Sequence, residues 1–194
     1  MPSELVVLLD PHGRAAGTAD KATVHDGDTP LHLAFSAYLF DADGRLLLTR
    51  RAVDKRTFPG LWTNSVCGHP APDEDLADAV TRRTRQELGL EIDRLRLVLP
   101  EFGYRAEMQG VVEHELCPVY AGWVDAPMLS PDPDEVGGTE WVEWDGFSAD
   151  VLDGVRAVSP WCREQLEELV TLGADPRAWP EADAALLPPA ARIA

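Results

Sequence analysis

A thiol and an imidazole stand close together in Trp62-Thr-Asn-Ser-Val-Cys-Gly-His-Pro70, where Cys67 and His69 flank a glycine just before a proline. Such a turn can carry proton-transfer or nucleophilic chemistry. Taken alone, Cys67 reads first as a small buried hydrophobe; its closeness to His69 narrows that margin and leaves both readings open. A second segment, Val112-Glu-His-Glu-Leu-Cys-Pro118, places Glu113 and Glu115 on one face of a strand, because side chains repeat every second residue. Two carboxylates on one face of an otherwise apolar run are costly unless a cation neutralises them or that face meets water. His25, His32 and His69 with Glu113 and Glu115 would make a site of three imidazoles and two carboxylates, suited to Mn²⁺ or Zn²⁺. Spacing alone does not bring these five residues together.

The elements that must position these groups follow from pattern. Leu5–Leu9 reads as a strand stopped by Asp10-Pro-His-Gly13. Residues 14–30 are polar and mixed. His32 to Phe40 alternates as a half-buried strand does, and Asp41-Ala-Asp-Gly44 turns it back into Arg45–Arg51 as a hairpin. Asp73 or Asp75 caps a helix that carries Leu76, Val80 and Leu88 on one face and ends at Gly89. Further strands are expected near 95–99, 111–124 and 139–144, then a helix over 159–172 with Pro160 in its first turn. The expected fold class is α+β, in outline an α/β/α sandwich with a mixed, mainly antiparallel sheet flanked by helices. A single domain is expected over 1–172, with 173–194 as a loose tail rich in Ala and Pro.

Charge limits what such a domain can bind. The chain of 194 residues has a net charge of −17, which argues against nucleic acid as a partner because phosphate neutralisation supplies most non-specific affinity. The imbalance is local: 13 Lys/Arg face 17 Asp/Glu up to residue 110, and 4 face 17 beyond it. A small anionic ligand is therefore expected on the N-terminal half. No apolar stretch approaches the roughly 20 residues that cross a bilayer, so membrane insertion is not expected. Three cysteines without a C-x-x-C pair predict no disulfide framework, and the cytoplasm is the expected location.

The residues Gly68, Glu74, Arg82, Glu87, Gly89 and Leu90 stand in register with the Nudix spacing G-x5-E-x7-R-E-U-x-E-E-x-G-U. Arg83 and Gln86 occupy two positions where a Nudix hydrolase places carboxylates for Mg²⁺, so ordinary hydrolysis is expected to be impaired. With Thr63-Asn-Ser-Val-Cys-Gly-His69, Glu113-His-Glu-Leu-Cys-Pro118, Phe102-Gly-Tyr-Arg105 and Ser159-Pro-Trp161, the chain resembles the type I isopentenyl diphosphate isomerases, a Nudix-fold branch, over residues 3–172. His114 stands where that family usually has Asn, on the opposite strand face.

The resemblance implies conversion of isopentenyl diphosphate to dimethylallyl diphosphate by protonation and deprotonation. It implies Cys67 and Glu115 as the catalytic pair on opposite faces of the substrate, with Tyr104 and Trp161 flanking the reacting carbons; because an alkene is a feeble base, Glu115, assisted by Tyr104, is expected to deliver the proton. It implies His25, His32, His69, Glu113 and Glu115 as ligands of the transition metal, and Glu87 as a holder of Mg²⁺ on the substrate diphosphate. Lys21, Arg51 and Lys55 match diphosphate-binding positions, Arg82 and Arg83 are further candidates, and Trp161 offers a π face to a developing cation. A monomer or weak homo-oligomer is expected.

Overall fold

The alternation that begins at His32 breaks at Ala34, and there the chain passes from one sheet to another. The computed structural model describes residues 4–125 and 128–192. Its elements run β1 (Leu5–Leu9), β2 (Ala15–Asp20), α1 (Lys21–Val24), β3 (His32–Leu33), β4 (Phe35–Phe40), β5 (Arg45–Arg51), β6 (Trp62–Thr63) and β7 (Val66–Gly68). They continue with α2 (Leu76–Leu88), β8 (Arg94–Leu99), β9 (Gly103–Met108), β10 (Val111–Leu116), β11 (Val119–Trp123), β12 (Val136–Glu143), α3 (Trp144–Leu152) and α4 (Pro160–Leu169). One sheet has the order β2-β1-β3-β10-β9. The other has the order β12-β5-β4-β11-β8, with β6 on β5 and β7 on β4.

Two strands cross between the sheets side by side. β10 pairs with β3 in parallel, Glu115 against His32, and β11 pairs with β4 in parallel, Val119 against Ser36. Between these ladders the amides of Ala34 and Ser36 donate to the carbonyls of Leu116 and Pro118, at 2.9 and 3.0 Å. The strand expected over 111–124 is therefore two strands. Pro118 lacks the N–H that a continuous ladder needs, so it sits at the crossing.

Alternation along β4 supplies both cores. Tyr38 and Phe40 face a cluster with Trp144, Phe147, Trp161 and Leu166 from α3 and α4. Phe35, Ala37 and Leu39 face Leu76, Ala79 and Leu88 of α2 on the other side. Helix α2 begins as expected: the Asp75 side chain accepts from the amides of Ala77 and Asp78, and Gly89 closes it with a φ of 68°. Segment 14–30, which pattern left irregular, forms β2 and α1. Strand β9 and helix α3 were likewise not among the expected elements, and 144 begins a helix instead of ending a strand.

The expectation of a loose tail is corrected. Trp179 is 2% exposed, with its ring centroid 5.0 Å from that of Trp144, and its indole N–H donates to Gly173 O at 2.7 Å. Leu187 and Ala191 are buried in the other core, and the amide of Ala182 donates to Leu97 O. A few large apolar side chains anchor the segment despite its Ala/Pro composition. Trp179→Ala is expected to lower stability by about 3–5 kcal/mol, read from urea unfolding. A loss below about 1 kcal/mol would mean the segment is only loosely held.

Candidate functional site

Parallel pairing of β3 with β10 sets His32 beside Glu115, the end of β7 brings His69, and the residue after α1 brings His25. One ligand atom from each of these four lies within 4.8 Å of the others. Nε2 of His69 is 3.2 Å from Nε2 of His32, and Oε1 of Glu115 is 3.1 Å from the former and 3.3 Å from the latter. Ligands bound to one ion at about 2.0–2.1 Å stand about 2.9–3.4 Å apart for tetrahedral or octahedral angles. The three spacings among His32, His69 and Glu115 match.

Ring orientation agrees with a cation site. The His32 Nδ1–H donates to Pro30 O at 2.9 Å, since a carbonyl can only accept, and so aims Nε2 at the cluster. Burial lowers this ring, but the hydrogen bond to Glu115 outweighs it and raises it, so an ion there would displace the Nε2 proton. His25 Nε2 is buried without a hydrogen-bond partner among the described residues, and so is His69 Nδ1, the ring nitrogen that does not meet His32 and Glu115. Burial pushes His25 and His69 down to about 4, the neutral state a metal requires. Burial also raises the carboxyl of Glu115, but hydrogen bonds to His32 and His69 outweigh it and hold the group well below the usual carboxylate range. The donor set fits a divalent transition metal.

Glu113 is not among the four. Its Oε2 accepts from the Tyr104 hydroxyl at 2.8 Å, and its carboxyl is raised by burial and by the charge of Glu115. Tyr104 lies opposite Glu115 on β9, yet its hydroxyl is engaged with Glu113. The expected assistance from Tyr104 to Glu115 is thus not a direct contact here.

Cys67 lies on β7, half-buried, with Sγ 3.4 Å from Ser36 Oγ. Burial pushes its thiol up to about 11, so it carries its proton at neutral pH. The next residue must be small: a Cβ on Gly68 would sit 3.0 Å from Phe35 Cζ and 3.2 Å from Arg83 Cγ, so glycine lets this turn lie against α2. Trp161, second residue of α4, is buried with its ring 5.4 Å from that of Tyr104. The Arg51 guanidinium is 5.6 Å from the Trp161 ring centroid.

Cys67, Glu115, Tyr104 and Trp161 line a cavity of about 500 Å³, a size common for small-molecule sites. Lys21, Arg51, Lys55 and Arg83 line it too, so the expected cations converge in one place. Each has a partner. Lys21 binds Glu4 at 2.6 Å, Lys55 binds Glu135, and Arg51 donates to the carbonyl and hydroxyl of Thr57 at 2.9 and 2.7 Å. Arg83 reaches Glu87 at 2.5 Å, Glu135 at 3.2 Å and Glu4 at 3.5 Å. Arg82 turns instead to Glu74. Glu87, raised chiefly by burial, lines a small hollow beside the main cavity with Cys67, Lys55 and Glu135.

Glu4 and Glu135 line the cavity without having stood out in the sequence, and of the two arginines flanking Arg51 and Lys55, Arg50 and Arg56, it is Arg56 that lines it. Glu135 follows Asp132 and Asp134 in an acidic turn, and nothing in spacing separates it from them. Among the described residues, no helix is long and apolar enough to cross a membrane.

The NUDIX domain family matches residues 30–162. The chain is 59% identical over 192 residues to an isopentenyl-diphosphate Delta-isomerase of Saccharopolyspora erythraea, covering 98% of each. It is 51% identical to the protein of the same name from Rhizobium rhizogenes, over 97% of this chain and 91% of that one. Among solved structures it resembles a protein of Deinococcus radiodurans with a TM-score of 0.64 at 21% identity, over 85% of this chain and 98% of that one. The MutT protein of Methanosarcina mazei is similar in fold, with a TM-score of 0.58 at 22% identity, over 73% and 94% of the two chains.

Proposed function

We propose, from the premise that this chain belongs to the isopentenyl-diphosphate Delta-isomerase family of the Nudix superfamily and converts isopentenyl diphosphate to dimethylallyl diphosphate, that Cys67 and Glu115 are its acid–base pair. One observation carries this reading. A thiol that keeps its proton and a carboxylate that has lost its own line the same cavity. A reversible shift of a double bond needs one proton between two groups, and this pair holds one.

The reaction adds a proton to the terminal carbon C4, and the π electrons leave a tertiary cation at C3. Removal of a proton from C2 then turns that C–H pair into the new double bond. Alkenes are weak bases, so donor and acceptor must be held against their carbons before reaction. Trp161 and Tyr104 present π faces to the developing cation, a contribution of about 0.5–2 kcal/mol for a cation over a ring. The same aromatic walls exclude water, which would otherwise capture the cation as an alcohol.

His25, His32, His69 and Glu115 would hold a divalent cation, Mn²⁺ or Zn²⁺, with Glu113, two residues from Glu115 on β10, as a further candidate ligand. When bound it supplies a fixed positive charge that orients Glu115 and sets its proton affinity. Mg²⁺ suits the diphosphate oxygens and Glu87. Lys21, Arg51, Lys55 and Arg83 hold the diphosphate by charge-assisted hydrogen bonds. Arg83, standing where a Nudix hydrolase has a carboxylate, contributes a cation to the handle and withdraws a metal ligand from hydrolysis.

Proton NMR of the protein with isopentenyl diphosphate, Mn²⁺ and Mg²⁺ in D₂O tests the reading through deuterated dimethylallyl diphosphate. Release of phosphate without isomerisation would overturn it. Lys55→Ala is expected to raise KM about ten- to a hundredfold with a smaller change in kcat, since the diphosphate is a handle remote from the reacting carbons. A kcat defect at unchanged KM would remove Lys55 from the handle.

A further inference from the structure

Asn64 stands between two groups that the mechanism uses and touches both. It is fully buried between β6 and β7. Its Oδ1 accepts from the Cys67 thiol at 3.1 Å, the Trp161 indole N–H at 3.2 Å and the Thr63 hydroxyl at 2.9 Å. Its Nδ2 donates to the carbonyls of Ala37 and Val66, both at 3.0 Å. The orientation of the amide is unambiguous. An indole N–H can only donate and a backbone carbonyl can only accept, so oxygen must face Trp161 and nitrogen must face β4 and β7.

We propose that Asn64 is a positioning residue that ties the thiol of Cys67 and the indole of Trp161 to one oxygen, fixing the proton-transferring group relative to the ring beside the reacting carbons. No other residue type of this size supplies two donors on one side and an acceptor on the other. Aspartate would turn a carboxylate oxygen toward two carbonyls, and leucine would leave five polar groups buried without this partner. Ser159 extends the frame: its hydroxyl lies 2.8 Å from that of Thr63 and caps the first turn of α4, which carries Trp161. The inference rests on the roles given above to Cys67 and Trp161.

A double-mutant cycle in the metal-loaded enzyme tests it. Asn64→Ala is expected to lower kcat about ten- to a hundredfold, as small displacements of reacting groups do, with KM for isopentenyl diphosphate changed by less than about threefold. Trp161→Phe keeps a π face and removes the N–H. It is expected to lower kcat about three- to tenfold in the parent and to add nothing in the Asn64→Ala background. Effects that multiply, or an Asn64→Ala enzyme with parental kcat and only a lowered Tm, would overturn the proposal. If Asn64→Ala does not fold, Trp161→Phe carries the test through iodoacetamide at fixed pH. Cys117 and Cys162 are buried, so Cys67 is the thiol that reacts. An alkylation rate changed by more than about threefold supports the shared oxygen and an unchanged rate overturns it. Retained turnover in Cys67→Ala would sink the acid–base reading instead, a different result.

Discussion

Cys67→Ala is expected to give a folded protein with normal metal content and normal affinity for isopentenyl diphosphate, whose turnover is about 10²–10⁴-fold lower. The separation follows from where the thiol sits. Its Sγ is within hydrogen-bond reach of Ser36 and Asn64 and, among the described residues, makes no hydrogen bond to the four-residue histidine–carboxylate group. Its removal takes away a proton-transfer group and leaves the diphosphate handle and the ligand atoms in place. Turnover by NMR, metal content by elemental analysis and affinity by calorimetry check the three parts. Turnover within threefold of the parent would remove Cys67 from the chemistry. A parallel loss of metal would show that the thiol acts through the ligand cluster.

Glu115→Gln is expected to fail in two ways at once. Turnover falls by about 10²–10⁴-fold because the amide cannot exchange the proton. Metal affinity falls by at least about tenfold because a charged ligand becomes neutral. In the parent, burial and the hydrogen bonds of His32 and His69 act in opposite senses on this carboxyl, and the hydrogen bonds prevail. Glutamine keeps an acceptor for one imidazole and loses the charge that stabilises the set. Near-normal turnover would sink the proposal that Glu115 moves a proton. The companion Glu113→Gln separates the neighbouring carboxylates: metal content equal to the parent's places Glu113 outside the ligand set, and a loss like that of Glu115→Gln places it inside.

Local pattern carried parts of this molecule well. The cap, apolar face and terminating glycine of α2 all lie within one stretch, so sequence exposes them. The pairing of Glu113 with Glu115 on one face follows from strand periodicity alone. Convergence of His25, His32, His69 and Glu115 was not legible in that way, because it depends on a parallel pairing between β3 and β10 and on where α1 ends. It entered through resemblance to a family. Asn64 went unremarked because a buried amide hub has no periodic mark: its partners Ala37, Val66 and Trp161 come from three separate elements. Glu135 is hidden among acidic neighbours, and the Ala/Pro composition after Gly173 masks the few apolar side chains, Trp179 and Leu187 above all, that anchor the segment.

The parallel run of residues 32–40 beside 115–123 also governs when the site can exist during folding. Ser36 and Cys117 lie 81 positions apart in the chain and meet within that crossing. A contact closed over so long a loop forms late, because the entropy of bringing distant segments together is spent before the ladder rewards it. Hairpins such as β9 with β10 need no such encounter. Glu115 comes into reach of the histidines and of the strand on which Cys67 lies only after the two sheets share these strands. A chain arrested before that step holds a thiol and three imidazoles apart from their carboxylate, so it can neither complete the ligand set nor commit a reactive cation to water.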